Sequence, residues 1–270
     1  MAPEFGPPAA PQPDDCCRSQ QRGTATRYRP KFEAICKSAT LYAVCNLYSM
    51  TRNREAIARL FRVDHDLTGN QPPLPAIFPD QLAPVIRQGP DGNRTMLNMR
   101  WGFPCPPNLG SRPVTNIRNT ASPFWRGWLK PEFRCLVPVT SFCEYTDSTP
   151  KVPHWFALGP EREPFAFAGV WRPWTGTRGT KAAPETGEHL LFAFLTTDAN
   201  ATVRPIHAKA MPVILTGEAC DLWLSAETGD ALALQRPAPD EQLRIVAKGA
   251  KLDGAEPRTD LGTEAALVGR

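Results

Sequence analysis

Four polar stretches sit among apolar segments: VCNLYSM at 44–50, VTNIRN at 114–119, SFCEY at 141–145 and PIHAKAMPVIL at 205–215. Each holds a side chain that can do chemistry. Cys45 offers a thiol for nucleophilic attack or oxidation. Glu144 falls inside an apolar strand pattern between Phe142 and Tyr145. A carboxyl turned inward there is costly unless paired, and its pKa rises, which suits a general acid. His207 carries an imidazole that exchanges protons near neutral pH. Asn116 has both a donor and an acceptor, and Arg118 beside it can meet a phosphate. Each residue also has a plainer reading. Cys45 can be a small buried thiol, Asn116 and Arg118 can pin a loop, Glu144 can pair with an arginine, and His207 can belong to a loop.

The surrounding elements restrict the fold. The chain has 270 residues, of which 41% are hydrophobic and 21% charged, so a folded core is expected. Thirty prolines are about twice the usual share and argue against a helical bundle. Strands are predicted over 95–101, 134–139, 142–146, 155–158, 165–171, 190–196, 212–215 and 244–247. Helices are predicted over 53–61, with Ile57, Leu60 and Phe61 on one face, after the Ser122-Pro123 start, and after Thr216. With strands dominant and no βαβ alternation, the expected class is α+β, a mostly antiparallel, curved, barrel-like sheet with a few short helices.

Composition excludes several roles. The net charge of +4 is too small to imply nucleic acid by itself. No apolar run reaches the roughly 20 residues of a membrane helix. The eight cysteines contain no C-x-x-C pair, and no Cys/His set has zinc spacing, so no metal or other cofactor is expected. Residues 1–44 are proline-rich at first and show no helical or strand period. They read as a disordered leader or an upstream extension, followed by a domain over 45–252 and a flexible tail over 253–270.

Five separated segments, VCNLYSM, RWGFPCPP, VTNIRNTA, RCLVPVTSFCEYT and IHAKAMPVIL, together resemble the SOS response-associated peptidase (SRAP) family, in the family's order and spacing. The resemblance runs from Cys45 to about Leu252. It implies a protein of the DNA-damage (SOS) response that captures abasic sites in single-stranded DNA. By motif, the family's nucleophilic cysteine falls on Cys45, its asparagine on Asn116, its glutamate on Glu144 and its histidine on His207. Arg118 falls on a phosphate contact. Trp101 falls in a tryptophan-glycine motif beside the DNA groove, and Trp125 is a second candidate stacking surface. Two departures are visible. Many members read Cys-Gly-Arg where this chain has Cys45-Asn46-Leu47, so one backbone contact is missing. Many read Tyr-Glu-Trp where it has Cys143-Glu144-Tyr145.

The implied chemistry needs Cys45 to be N-terminal. An α-amine and a thiol on adjacent carbons convert an aldehyde to an imine and then a thiazolidine, whereas an internal cysteine has only an amide nitrogen. Val44 precedes Cys45 in this sequence. A GTG codon reads as valine internally but can initiate, so a start at position 44 is one expectation and cleavage before Cys45 another. The same imine permits a weak lyase activity, and the family name includes peptidase. Two other classes stay open: a Cys/His hydrolase using Cys45 or Cys143 with His207, and a non-catalytic single-stranded DNA module. The expected setting is a cytoplasmic monomer.

Overall fold

The computed structural model describes residues 45–105 and 112–254. The leader over 1–44 and most of the tail over 253–270 lie outside the described residues. The α+β architecture expected from the sequence holds. Two curved sheets enclose one core, with three α-helices among the described residues.

The smaller sheet has five strands. They are β1 (Tyr48–Met50), β3 (Leu74–Ile77), β8 (Ser141–Tyr145), β9 (Pro153–Ala157) and β14 (Arg244–Lys248), in the order β14-β9-β8-β1-β3. All its pairings are antiparallel. The larger sheet has β2 (His65–Asp66), β4 (Leu82–Gln88), β5 (Arg94–Trp101) and β7 (Arg134–Val139) on one side. The long hairpin of β10 (Phe165–Gly179) and β11 (Pro184–Thr197) completes it, with β6 (Asn116–Ile117), β12 (Met211–Pro212) and β13 (Ile214–Leu215) attached. Most pairings are antiparallel. The exceptions are β2 with β5, and β11 with β5 and β6.

Side chains from both sheets meet in the core. Tyr48 of β1 packs edge-on against Trp101 of β5 at 5.1 Å, and Phe167 of β10 lies 4.6 Å from Phe194 of β11. Fully burying such a side chain stabilises the fold by about 1.5–3 kcal/mol. Trp101 is followed by Gly102 at φ +112, where a Cβ would lie 2.5 Å from Pro113 Cβ. Only glycine allows this approach, which brings the 113–115 segment against the sheet and leaves Asn116 half-buried beside it.

Helix α1 (Arg54–Leu60) begins at an Asn53 cap, whose side chain accepts from the Ala56 N–H. Ile57 and Phe61 are buried as its period predicts, but Leu60 is exposed. The helix predicted after Ser122-Pro123 is instead a run of turns. Its apolar side chains are drawn to tertiary partners: Trp125 packs on Phe103, and Trp128 on Phe133. Helix α2 (Glu218–Ser225) starts one residue after the expected Thr216 cap, from Gly217, and α3 (Thr228–Leu232) follows it. Asp253, the first residue of the expected tail, is anchored to the body through Ser49, Ser141 and Arg162. No helix among the described residues is long and apolar enough to cross a membrane.

Candidate active site

The strand β8 is buried along nearly its whole length and alternates strictly. Phe142 faces the main core and stacks on Phe156 of β9 at 5.3 Å. Cys143 turns the other way, into a small cluster with Leu47 and Trp155. Glu144, two residues after Phe142, therefore points to the core side. Only 2% of it is exposed. Burial pushes its carboxyl pKa well up, opposed by one hydrogen bond from Cys45.

That bond defines the site. The segment before β1 runs beside β8, with the Cys143 N–H donating to the Leu47 carbonyl at 2.9 Å. This pairing sets the backbone N–H of Cys45 3.0 Å from Glu144 Oε1, across 99 residues of sequence. The Cys45 thiol is fully buried and points to the Leu47 carbonyl at 3.7 Å. Burial raises its pKa well above the usual thiol value, and the neighbouring Glu144 charge adds to the rise. It is a protonated thiol at neutral pH.

Asn116 closes the site from the larger sheet. Its strand lies parallel to β11, with Asn116 opposite Phe194. The Asn116 Nδ2 group donates to the Cys45 carbonyl at 3.3 Å and to Thr115 Oγ1 at 2.9 Å. Thr115 Oγ1 reaches Asn46 Oδ1 at 3.4 Å, and its carbonyl accepts from Trp101 Nε1 at 3.2 Å. Cys45, Asn116 and Glu144 are thus in one hydrogen-bonded group.

His207 makes no hydrogen bond to that group among the described residues. It ends the turn after β11, where its N–H donates to the Val203 carbonyl at 2.9 Å. Its nearest charges are Asp147 and Lys151 on the β8–β9 connection, and Lys209. Burial lowers its pKa; Asp147 opposes this, and Lys209 and Lys151 add to it. The ring is neutral at neutral pH. Its Nε2 is buried with no hydrogen-bond partner among the described residues.

The residues expected to meet DNA divide sharply. Arg118 follows β6 on the surface, half-exposed and paired with Asp198. Trp101 is fully buried and stacks on Phe194 at 5.3 Å. Trp125 is also buried, 5.7 Å from Phe103 and 4.8 Å from Phe124. The two tryptophans are core residues with no ring face open to a base. Trp101 also holds the Thr115 carbonyl through its Nε1–H.

Sequence reasoning missed one neighbour. His154 pairs directly with Glu144 across β8 and β9, so its side chain lies on the same face. The predicted strand began at Trp155, one residue too late to include it. No group of side chains among the described residues could hold a metal ion.

The chain matches the model of the SOS response associated peptidase (SRAP) family over residues 44–250. No curated protein matches it. Among solved structures it is similar to a protein from Bordetella bronchiseptica, with 22% identity and a TM-score of 0.60, covering 74% of this chain and 97% of that one. A protein from Bacteroides thetaiotaomicron is 22% identical with a TM-score of 0.59, covering 74% and 90%. A phage-related protein from Bordetella bronchiseptica is 20% identical with a TM-score of 0.55, covering 74% and 92%. At this identity the structures share the fold.

Proposed function

The chain belongs to the SOS response-associated peptidase family, a family of the DNA-damage response, and we propose that it captures abasic sites in single-stranded DNA through Cys45. One observation carries the reading: the buried carboxyl of Glu144 is held on the nitrogen of residue 45, 3.0 Å away. With Cys45 as the first residue of the working protein, that atom is the α-amine. A carboxyl fixed on a backbone amide has no acid–base task. Fixed on an amine that must gain and lose protons, it has one at each step.

An α-amine has a pKa of about 7.7–8.0, so a useful fraction is neutral near pH 7. It adds to the aldehyde of a ring-opened abasic deoxyribose to give a carbinolamine. Loss of water leaves an imine, and the thiol adds to the imine carbon, its proton passing to nitrogen. The product is a five-membered thiazolidine, and one water is released overall. Addition within one residue benefits from effective molarities on the order of 10⁵ M or more.

Glu144 supplies the proton that makes water leave. Burial raises its pKa, which suits it to hold and donate a proton in this step. The thiol needs the complementary service, since burial leaves it protonated until the imine forms beside it. His207, neutral and with an unpartnered Nε2, can serve as the base for proton exchange with the sugar. Asn116 holds the Cys45 carbonyl and so fixes how the amine and thiol present themselves. Arg118 exchanges Asp198 for a DNA phosphate. Cleavage before Cys45, by the protein itself or otherwise, would expose the amine, and β-elimination from the imine gives a weak lyase activity.

A Cys/His hydrolase fits less well. Its thiol would pair with His207 and ionise easily, whereas this thiol points to the Leu47 carbonyl and is pushed away from ionisation.

The test begins with N-terminal sequencing of protein from its native host. That protein is then mixed with a single-stranded oligonucleotide carrying one abasic site and run on a denaturing gel. A shifted band is expected, absent for Cys45→Ala and for protein whose amine has been acetylated. A band that survives acetylation rejects the thiazolidine route. Folded protein with an N-terminal Cys45 and no band rejects capture altogether.

A further inference from the structure

Beside Glu144 the small sheet carries two titratable side chains that the proposed chemistry does not use. Glu144 on β8 pairs directly with His154 on β9, and His154 pairs on its other side with Lys248 on β14. Directly opposed residues share a face of the sheet, with Cβ atoms about 4.5–5.5 Å apart. The neighbouring pairs confirm which face. Phe142 and Phe156, one step along, stack on each other in the core. Cys143, Trp155 and Ala247 lie together on the opposite side. Glu144, His154 and Lys248 therefore run side by side across three strands, from interior to edge. Glu144 is 2% exposed, His154 is 7% exposed, and Lys248 lies open to solvent.

The imidazole is oriented as well as placed. Its Nδ1 lies 3.2 Å from the Val152 carbonyl, which accepts the Nδ1–H and leaves Nε2 as the basic atom. A buried carboxylic acid that donates a proton must recover one each cycle, and Glu144 has almost no contact with water. Around this end of the sheet the other charged or titratable groups are the Cys45 and Cys143 thiols, the phenols of Tyr48 and Tyr145, Asp147 and Lys151 of the β8–β9 connection, and His207 with Lys209 beyond it. Of all these, only His154 is both the direct strand neighbour of Glu144 and next to a solvent-facing strand.

We propose that His154 is a positioning residue for Glu144, exchanging the carboxyl proton with the solvent edge at Lys248. The proton leaves Glu144 for the imidazole, giving a carboxylate and an imidazolium, and the imidazolium releases it to water. The reverse sequence reloads the acid. This rests on the role given to Glu144 above, but the link between the two side chains is testable without DNA.

Histidine ring signals of the full chain are followed by NMR from pH 4 to 9. The chain has four histidines, assigned through bonds, so no His154 variant is needed. The pH dependence of the His154 ring signals is expected to differ between wild type and Glu144→Gln, because the two side chains exchange a proton. Identical His154 curves in the two proteins overturn the proposal. The second readout is the rate of abasic-site capture against pH. His154→Asn keeps a donor for the Val152 carbonyl but cannot titrate. Capture by this variant is expected to be about threefold to tenfold slower at pH 7, with a profile of altered shape. A profile merely scaled down at every pH shows a packing role and also overturns it. If the wild-type protein captures no abasic DNA, the functional reading fails while the NMR comparison still decides whether His154 serves Glu144.

Discussion

Two ionisable groups are buried to similar depth, and they are treated in opposite ways. Arg134, on β7, is 1% exposed. Its guanidinium donates to the carbonyls of Leu129, Trp223 and Ala226 and to Thr228 Oγ1, and lies 5.4 Å from the Trp223 ring centroid. These partners come from the turn before β7 and from the end of α2 and the start of α3, so the arginine ties those segments together. Glu144, 2% exposed, accepts one hydrogen bond among the described residues. A buried charge is tolerated when its hydrogen-bonding capacity is filled. Arg134 meets that condition and reads as structure. Glu144 does not, and the fold holds it in a state from which a proton is easily moved. The contrast separates a charge used as a fastener from one used as a reagent.

The strongest way to break the contrast is to neutralise each group. Glu144→Gln keeps shape and the acceptor for Cys45 N–H but removes the acid. Capture is expected to fall by roughly 10²–10⁴-fold, the usual share of general acid–base catalysis, with the fold intact. Arg134→Met should do the reverse. It leaves several buried carbonyls without a donor, at an expected cost of about 3–5 kcal/mol. At roughly 2–4 °C per kcal/mol in a domain of this size, melting falls by about 10 °C. The capture rate per folded molecule should stay near wild type. Thermal melts and single-turnover capture assays on the same samples check both. Similar losses of activity in the two variants would erase the distinction.

Asp253 sharpens it. Its carboxylate is buried like that of Glu144 but saturated like Arg134, accepting from Ser49 Oγ at 3.1 Å, Ser141 Oγ at 2.6 Å and Arg162 Nε at 2.8 Å. It fastens β1 and β8 near the ends opposite Cys45 and Glu144. By the same criterion it is structural. Asp253→Asn weakens charge-assisted bonds worth about 1.5–3 kcal/mol, so a melting loss of several degrees is expected, with capture within about threefold of wild type. A larger loss of capture than of stability would mean that saturation does not mark a structural charge here.

The sequence shows more of the site's membership than of its assembly. Glu144 is recognisable because a carboxylate interrupts an apolar strand, and Cys45 and Asn116 because their motifs are distinctive. Their meeting depends on bonds spanning 99 and 71 residues. Those bonds are set by β1 and β6, three and two residues long, too short to show a period. His154 was overlooked for a related reason. Pro153 cannot donate to a ladder and reads as a boundary, yet it is the first residue of β9, the position where proline is tolerated. Trp101 and Trp125 fail differently. An aromatic ring has the same sequence signature whether it stacks on a base or fills a core, and here contacts with Phe194 and Phe103 decide for the core. The curved sheets are legible because β7, β8 and the buried half of β10 are largely apolar, whereas the outer half of the β10–β11 hairpin, partly exposed and polar, is not.

The smallest expected effect is on the pH dependence of stability, and it bears most directly on the difference between reagent and fastener. The folded carboxyl of Glu144 keeps its proton above the pH at which an unfolded glutamate, with a pKa of about 4.3, has lost it. Between those two points the native state binds more protons than the unfolded chain, so stability falls as pH rises. His207 acts in the other direction: its lowered pKa means that the unfolded chain binds more protons below about pH 6.5, and stability falls as pH drops there. Glu144→Gln removes the first contribution and leaves the second. Its melting temperature relative to wild type should therefore climb from pH 5 to pH 8, by about 2–4 °C for each kcal/mol of relieved proton linkage. Above pH 8 the raised Cys45 thiol adds a slope of its own in both proteins, so the comparison belongs below that point. Arg134→Met should melt lower at every pH but run parallel to wild type over the same interval, because a guanidinium holds its charge throughout. Curves for Glu144→Gln that also run parallel to wild type would mean that the carboxyl is ionised in the folded protein. It would then be a buried charge like the other two, and the bond to the nitrogen of Cys45 would be one more fastening.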